Sequence, residues 1–234
     1  MPLAKKKVVE GRGASDLVYA LITKDDSTEY TTGEVKHLIP LATITKTTEA
    51  SSEAHYYDNI PAVNINSEGA DEISITGALI DLKTLAEITG KSYDPSTGAF
   101  SDVEATPPYI ALGYKSQNSD GSEYYAWRLK GTFSIPDETA NTKDDGTEGV
   151  GTELTYTGIY TTHVFTKGKA IVGEGDTVTY EPAPSKAIKV DVSEDKIDAS
   201  TFFEEVMTPD TITAKTQMSI AKAAKVAVTT PNKE

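Results

Sequence analysis

Two sets of side chains alternate along two stretches in the middle of the chain, "PPYIALGYKS" at 107–116 and "YYAWRLKGTF" at 124–133, as Ala111 and Gly113 do with Leu112 and Tyr114. Alternation with a period of two sends successive side chains to opposite faces of a sheet, so both stretches are predicted to be β-strands. The residues between them, from Asn118 to Gly121, tolerate positive φ angles in tight turns. The pattern therefore predicts a β-hairpin whose second strand carries Trp127, the only tryptophan of the chain.

Further stretches rich in Thr, Ile, Val and Tyr are typical of strands. They are "LVYALITKD" at 17–25, the segments 37–50 and 55–77, and "TELTYTGIYTTHVF" at 152–165. The last of these is predicted to be a third long strand. Most of the middle of the chain is therefore predicted to be β-structure.

One segment, "ALIDLKTLAEITG" at 78–90, breaks the strand pattern. Its apolar residues recur at helical spacing, at Leu79, Leu82, Leu85, Ala86 and Ile88. Gly90 follows directly and is a natural helix C-cap. The pattern predicts one α-helix.

The composition is that of an ordinary globular protein, with 38% hydrophobic and 25% charged residues in a chain of 234 residues. One large domain is the simplest expectation at this length. The absence of cysteine excludes disulfides, thiolate metal sites and cysteine nucleophiles. No apolar run has membrane-spanning length, and the first lysines precede no apolar signal region, so we expect a protein made and used without export.

The net charge of −14 is concentrated in the body of the chain, where residues 51–105 carry ten acidic and two basic side chains. An acidic surface repels nucleic acid, because affinity for DNA comes largely from cations that displace counterions at phosphates. A solvated surface that keeps the protein soluble would explain the same charge equally well.

Residues typical of catalysis are scarce. The three histidines, His37, His55 and His163, each lie in or beside a predicted strand, and no nucleophile motif accompanies them. Zinc would need three or four ligands at local spacing. Several carboxylates form adjacent doublets such as Asp71 and Glu72, which point to opposite faces of a strand. We therefore expect no catalytic residues, metal or cofactor.

Several aromatic residues could in principle stack on bases or sugars: Tyr56, Tyr57, Tyr109, Tyr124, Tyr125 and Trp127. Basic residues do not interleave with them as a nucleic-acid platform requires. Packing in the core and at interfaces is the favoured interpretation.

Six separated pieces of the sequence agree, in order, with one known family. They are "LVYALITKD" (17–25), "HYYDNIPA" (55–62), "ALIDLKTLAEITG" (78–90), "PPYIALGYKS" (107–116), "YYAWRLKGTFSIP" (124–136) and "TELTYTGIY" (152–160). In this order they resemble the major tail proteins of long-tailed phages that infect Gram-positive bacteria, the phi13-type tail tube family. The resemblance covers roughly residues 15–165, and its most specific part is the combination of the "YYDN" box, the helix and the hairpin.

The resemblance implies a mainly β subunit with a β-sandwich or half-barrel tail-tube fold, one flanking helix at about 78–90 and extended terminal arms. It also implies a structural protein of the virion tail, made in the host bacterial cytoplasm, that assembles with itself into hexameric rings stacked into a tube. DNA would pass through the tube on ejection without specific binding. Tape measure and tail-end proteins would be the other partners, with no membrane involved.

In such a tube the acidic charge would have a function, because an acidic wall repels the DNA duplex, whereas lysines would bind its phosphates. The residues expected to line the lumen come from the most acidic segment and are Glu53, Asp58, Glu68, Asp71 and Glu72.

The chain is expected to divide into an N-terminal arm at 1–15, a β-domain at 16–200 and a C-terminal extension at 201–234. The polar stretches 1–15 and 24–36 lack the apolar periodicity of a core, so we expect them to be mobile until a neighbouring ring orders them. The residues expected at contacts between rings are Leu3, Val8, Val9, Asp25, Asp26 and Tyr30.

Two other function classes remain open on the sequence alone. A carbohydrate- or protein-binding β-sandwich would use the tyrosines as its binding surface, and an enzyme is the least favoured class. Rings or tubes seen by electron microscopy would favour the tail tube, and a monomer that binds a glycan would favour the binding module.

Overall fold

The computed structural model of the protein describes residues 8–57, 59–140, 142 and 150–215. The strands are β1 (Gly11–Asp25), β2 (Tyr30–Thr32), β3 (Lys36–His37), β4 (Leu41–Tyr57), β5 (Ile60–Gly77), β6 (Ser92–Asp94), β7 (Ala99–Ser101), β8 (Ile110–Asn118), β9 (Glu123–Phe133), β10 (Thr152–Gly158), β11 (Phe165–Val172), β12 (Val178–Ala183) and β13 (Ala187–Asp191). The one α-helix of the described residues is α1 (Leu82–Thr89), and two 3-10 helices span Glu174–Asp176 and Val192–Glu194. The predicted mainly β fold with one helix is confirmed.

Nine strands form one curled, half-barrel sheet with the order β2-β1-β8-β9-β10-β5-β4. In the same sheet β3 also pairs with β1, and β13 also pairs with β9. The predicted hairpin is confirmed, because β8 and β9 pair in antiparallel fashion up to a turn in which Gly121 has a φ of 84°. Two small hairpins, β6 with β7 and β11 with β12, lie outside the main sheet.

The central strands β1, β8 and β9 are buried on both faces, which explains why the sequence is most apolar there. On one face they contribute Leu17, Tyr19, Ile110, Leu112, Tyr114 and Ala126 to a core that includes Ile88 of α1. On the other face they contribute Val18, Ala20, Ala111, Trp127 and Leu129 to a second core that includes Phe165, Phe202 and Val206. The sheet is thus covered by the helix on one side and by the chain after β13 on the other.

Helix α1 begins and ends at the residues that its sequence favours. Asp81 is the N-cap, and its side chain accepts a hydrogen bond from the backbone N–H of Thr84 at 2.9 Å. Gly90 ends the helix in the left-handed conformation, with a φ of 73°. The helix predicted at 78–90 is therefore confirmed in type and shortened at its start by the cap.

Replacing Asp81 by Ala should lower the free energy of unfolding by about 1 kcal/mol, because the N–H of Thr84 loses its acceptor. Urea denaturation would measure the loss, and Asp81→Asn, which keeps a capping oxygen, should recover most of it. Equal losses in the two variants would contradict the capping role.

The structure corrects two of the predicted boundaries. Strand β1 begins at Gly11, and its residues up to Ser15 pair with β8 between Lys115 and Asn118. The N-terminal arm predicted at 1–15 is therefore shorter, because the polar residues at its end are held by backbone pairing that side-chain periodicity does not reveal. The third strand predicted at 152–165 is also too long, since β10 ends at Gly158.

The C-terminal extension predicted at 201–234 belongs to the domain wherever the structure describes it. Phe202 and Val206 are buried in the second core. Asp210 accepts hydrogen bonds from the backbone N–H groups of Thr166 and Lys167 at 3.0 and 2.7 Å. Residues 201–215 therefore cover a face of the sheet, whereas 216–234 lie outside the described residues.

In the part of the chain that the structure describes, no helix combines the length and the apolar character needed to span a membrane.

Candidate functional site

Strands β4, β5 and β10 and the end of β9 have one buried face and one open face. Ile73, Ile75, Leu154 and Tyr156 point into the core, so the residues between them point the opposite way. The outward residues of these strands, paired across the ladder, are Thr43, Thr45, Thr47, Glu72, Ser74, Thr76, Thr132, Glu153, Thr155 and Thr157. Each of them is exposed or half-buried, and we call this surface the hydroxyl face.

The hydroxyl face is polar, with a weak negative charge. Eight of its ten side chains are hydroxyls, and the other two are the carboxylates of Glu72 and Glu153. It contains no lysine or arginine, so it can hydrogen-bond water but lacks the cations that hold phosphates. This surface was not predicted from the sequence, although the alternation of threonine in β4 and β10 is a signal for it.

The residues predicted to line a lumen lie in three different environments. Glu72 is on the hydroxyl face. Glu53 and Glu68 are exposed on a hairpin arm described below, and Asp58 lies outside the described residues. Asp71 is buried, with 2% of its surface exposed.

Asp71 lies on the core side of β5, where it forms an ion network inside the subunit. Its carboxylate lies 3.2 Å from Arg128, 3.4 Å from Lys46 and 3.8 Å from Lys186. It also accepts a hydrogen bond from the hydroxyl of Thr48 at 2.8 Å. Its charge is therefore matched within the subunit and is not available to a channel, because burial requires such pairing.

Strands β4 and β5 continue beyond the sheet as a two-stranded arm. β10 pairs with β5 only from Asp71 to Gly77, whereas β4 follows β5 back to Ile60. Residues 49–69, which we call the arm, thus have only each other as strand partners among the described residues. At about 3.3 Å per residue the arm extends roughly 35 Å from the sheet. Lys186 holds its base through an ion pair with Glu68 at 2.8 Å.

The outer edge of β4 has no partner strand among the described residues, since β4 is the last strand of the sheet. Alternate residues along this 17-residue strand therefore present backbone N–H and C=O groups to the open side. Edges of this length invite pairing with another chain unless they are protected. The one lysine in residues 41–48, Lys46, directs its ammonium to Asp71 at 3.4 Å.

Some residues predicted at contacts between rings are exposed, and others make contacts within their own subunit. Val8 and Val9 are exposed before the start of β1, and Leu3 lies outside the described residues. Tyr30 donates a hydrogen bond to the carbonyl of Leu129 at 2.5 Å and packs edge-on against Phe165. Its side chain therefore serves the fold of its own subunit.

The turn that joins β1 to β2 is also held by the subunit's own contacts. Asp26 accepts hydrogen bonds from the backbone N–H groups of Thr28 and Glu29 at 2.8 and 2.9 Å. Asp25 pairs with the ammonium of Lys130 at 2.5 Å. The expectation that 24–36 makes no core contacts is wrong, because Tyr30 and Val35 pack against the second core and the polar side chains bond to the backbone and to one another.

Burial disfavours the charged form of the Asp25 carboxyl and by itself would raise its pKa. Hydrogen bonds from Lys130 and from the backbone N–H groups of Thr162 and His163 outweigh burial, so the pKa of Asp25 is lowered. A depressed pKa adds stability that is present above the unfolded pKa of about 4 and is lost as the pH falls through the folded value. Asp25→Asn should therefore be destabilising at pH 7 and much less so near pH 2. Urea unfolding of both proteins at the two pH values would test this, and a difference independent of pH would contradict it.

Trp127 and Tyr125 confirm the packing interpretation, whereas Tyr56 and Tyr109 are exposed. Trp127 is fully buried and donates a hydrogen bond from its indole nitrogen to the carbonyl of Phe202 at 2.9 Å. Tyr125 packs against Phe202 and Phe203, with ring centroids 5.5 and 5.2 Å apart. Even the exposed Tyr109 has the ammonium of Lys130 above its ring, 4.6 Å from the centroid.

The histidines do not come together. His37 and His55 are exposed on different strands, and His163 packs edge-on against Phe165. Within the described ranges, no three His, Asp or Glu side chains converge as metal ligands. The hydroxyl face, the arm and the edge of β4 are three open surfaces of the described residues. The sequence matches no protein-family model, and no curated protein matches it either.

Proposed function

We propose that this protein is a structural subunit that assembles with itself, the major tail tube subunit of a long-tailed phage. Copies would form hexameric rings, and the rings would stack into a tube through which DNA leaves the virion. The chain would be made in the host cytoplasm and would reside in the tail. Tape measure and tail-end proteins would contact the tube. The hydroxyl face is the observation that carries this proposal.

A wall beside moving DNA has to be wetted without binding the duplex. Hydroxyls keep water at the wall, and the two carboxylates of the hydroxyl face repel phosphates. A face bearing lysines would instead release counterions from DNA and retain it. Glu72 and Glu153 are therefore the residues proposed to face the lumen from the sheet.

The open edge of β4 supports the same proposal. A half-barrel sheet leaves edges that aggregate unless they are covered. Six copies placed edge to edge would close such sheets into one large barrel, and closure removes the edges altogether. The family resemblance is the basis for six subunits in a ring. The open edge of β4 is the basis for expecting a partner strand from a neighbouring copy.

The alternative of a glycan-binding module would depend on exposed tyrosines such as Tyr56 and Tyr180. Such sites are concave and present aromatic side chains to the ligand. Here Trp127 is buried, and Tyr160 and Tyr124 have the ammonium groups of Lys186 and Lys189 over their rings at 4.6 Å.

The purified protein should form rings or hollow tubes as its concentration rises, and it should not retard duplex DNA at physiological salt. Sedimentation with negative-stain microscopy would measure the first, and a gel-shift assay the second. A monomer at every concentration and salt would overturn the proposal, and so would micromolar affinity for DNA.

A further inference from the structure

Strands β10 and β13 occupy one continuous position in the sheet. β8 pairs with one side of β9, so β10 and β13 both lie on its other side, one after the other. Between them, the N–H of Ile159 donates to the carbonyl of Lys130 at 2.8 Å. The N–H of Leu129 donates to the carbonyl of Lys186, also at 2.8 Å. Lys186 therefore follows Ile159 along β9, and residues 160–185 leave the sheet and return to it.

Strand β5 departs from this position where the arm begins. β10 pairs with β5 only up to Asp71, and among the described residues no strand pairs with this side of β5 before that point. β13 likewise has a partner strand only on its β9 side. Because Gly158 at the end of β10 pairs with Asp71, the position continued by β13 runs antiparallel to residues 64–68. Two free edges therefore flank the point where the arm leaves the sheet.

Lys186 stands between these two edges. Its ammonium donates hydrogen bonds to the backbone carbonyl of Gly69 and, at 2.8 Å, to the carboxylate of Glu68. The side chain is 7% exposed. In a continuous ladder, a backbone N–H of the next strand supplies such bonds. The side chain of Lys186 thus takes the place of a neighbouring strand and holds β5 apart from β13.

The base of the arm is bent by a β-bulge. Between the pair Thr48–Asp71 and the pair Ala50–Glu68, two residues of β5 oppose one residue of β4. A bulge of this kind bends its strand and increases the local twist. One of the two bulged residues is Gly69, where a Cβ would lie 2.9 Å from a side-chain atom of β4. The arm therefore turns away from the sheet at a defined point.

The bulge also determines which way the side chains of the arm face. Ile73 faces the first core, and one extra residue in β5 reverses the alternation, so Val63 and Ile65 face the other side of the sheet. Both are at least half exposed. Ile188 and Val190 of β13 face that same side, where they pack against the second core. The apolar residues of the arm and of β13 therefore match in direction.

We propose that the arm is hinged at its bulge and closes against β13, so that residues 64–68 pair with residues 187–191. Ile65 then lies opposite Val190, and both free edges gain backbone partners. Lys186 holds the arm in the open position that the structure shows. The movement takes place within one subunit, goes beyond the proposed function and is tested without assembly of any kind.

Closure protects the free subunit. An unpaired strand edge is a template for pairing with another chain, and proteins cover such edges to avoid aggregation. In the closed position β5 and β13 cover each other. Opening the arm exposes both edges, so the contact of Lys186 with the base of the arm sets how often they are available.

A pair of cysteines traps the closed position, because the chain has none of its own. In the protein with Ile65→Cys and Val190→Cys, mild oxidation of a dilute solution should form a disulfide within one chain, seen as loss of both thiols without a covalent dimer. Ser51→Cys with Ser67→Cys is the positive control, because these hydroxyl oxygens already lie 2.6 Å apart across the arm. If the control closes while the test pair stays reduced or gives only dimers, the inference is wrong.

A mismatched pair separates a docked arm from an arm that merely moves. Val103 is exposed, and its carbonyl accepts a hydrogen bond from Lys91 just after α1, at the opposite end of β5 from the arm. Ile65→Cys with Val103→Cys should therefore stay reduced within the chain. Equal trapping of the matched and mismatched pairs would overturn the inference.

Substitutions at the contact that holds the arm open test the hinge itself. Lys186→Met should speed closure of the matched cysteine pair about threefold or more, because the hydrogen bonds to the base of the arm are lost. Glu68→Gln weakens the same contact without touching the ion pairs of Asp71, so it should act in the same direction and decides the point if Lys186→Met does not fold. Lys169→Met, which breaks an exposed ion pair with Glu181 at 3.0 Å, is the control. An unchanged or slower rate in the folded variants would show that Lys186 does not hold the arm open.

Discussion

Replacing Asp71 by Asn should lower the free energy of unfolding by about 3 kcal/mol or more, because it breaks a buried ion network by removing one partner. The carboxylate is 2% exposed and is the shared anion for Arg128, Lys46 and Lys186. An amide can still accept the hydrogen bond from Thr48, but it carries no charge. The guanidinium of Arg128 would then be buried without its anion.

Glu72 is the matched control for this experiment. It is the next residue of the same strand, also a carboxylate, but it faces outward on the hydroxyl face. Glu72→Gln should change the stability by no more than about 0.5 kcal/mol. Urea denaturation can be followed by the fluorescence of Trp127, the only tryptophan. Similar losses in the two variants would contradict the assignment of Asp71 to the core and Glu72 to the open face.

Replacing Trp127 by Ala should destabilise the protein by about 3–5 kcal/mol, because it leaves a large cavity in the second core. The indole joins β9 to the chain after β13, through its hydrogen bond to the carbonyl of Phe202 and its contact with the ring of Phe203. Its loss should therefore loosen residues 197–215 first.

A second variant at the same position separates packing from hydrogen bonding. Trp127→Phe keeps much of the apolar volume but leaves the carbonyl of Phe202 unpaired, so the expected loss is about 1–3 kcal/mol. Tyr180→Ala, at an exposed aromatic residue of β12, is the control with little expected effect. Circular dichroism would follow unfolding in these variants. If Trp127→Ala lowers the free energy of unfolding no more than Tyr180→Ala does, the Trp127 indole does not stabilise the second core as proposed.

Local patterns were enough to predict the hairpin of β8 and β9 and the helix, since both are specified by residues close in sequence. Alternation marks the strands, Gly121 supplies the positive φ of the turn, and Gly90 ends the helix. The capping role of Asp81 is likewise a local signal. These features depend on short-range geometry, which the order of residues determines directly.

Features that depend on tertiary contacts could not be predicted in the same way. Asp71 and Glu72 lie on opposite faces, as expected for neighbours in a strand, but periodicity does not say which face is buried. Only the pairing of β5 with β10 and the cations from distant strands decide it. Similarly, the polar stretch before Leu17 gave no sign that β8 holds it.

The arm is only weakly indicated by the sequence, and its extension beyond the sheet was not predicted. Two long β-rich segments, 37–50 and 55–77, indicated strands, yet nothing local shows that they extend past the sheet. The length of β10 determines where the arm begins, because β5 has no second partner beyond Asp71. Surfaces for assembly are therefore visible only once the sheet is built.

Cryo-electron microscopy of the assembled protein tests the central claim most directly. The account predicts rings of six subunits around a hollow bore, with Glu72, Glu153 and the threonines of the hydroxyl face lining the bore. A particle in which this face points outward, or is covered by a neighbouring subunit, would contradict it.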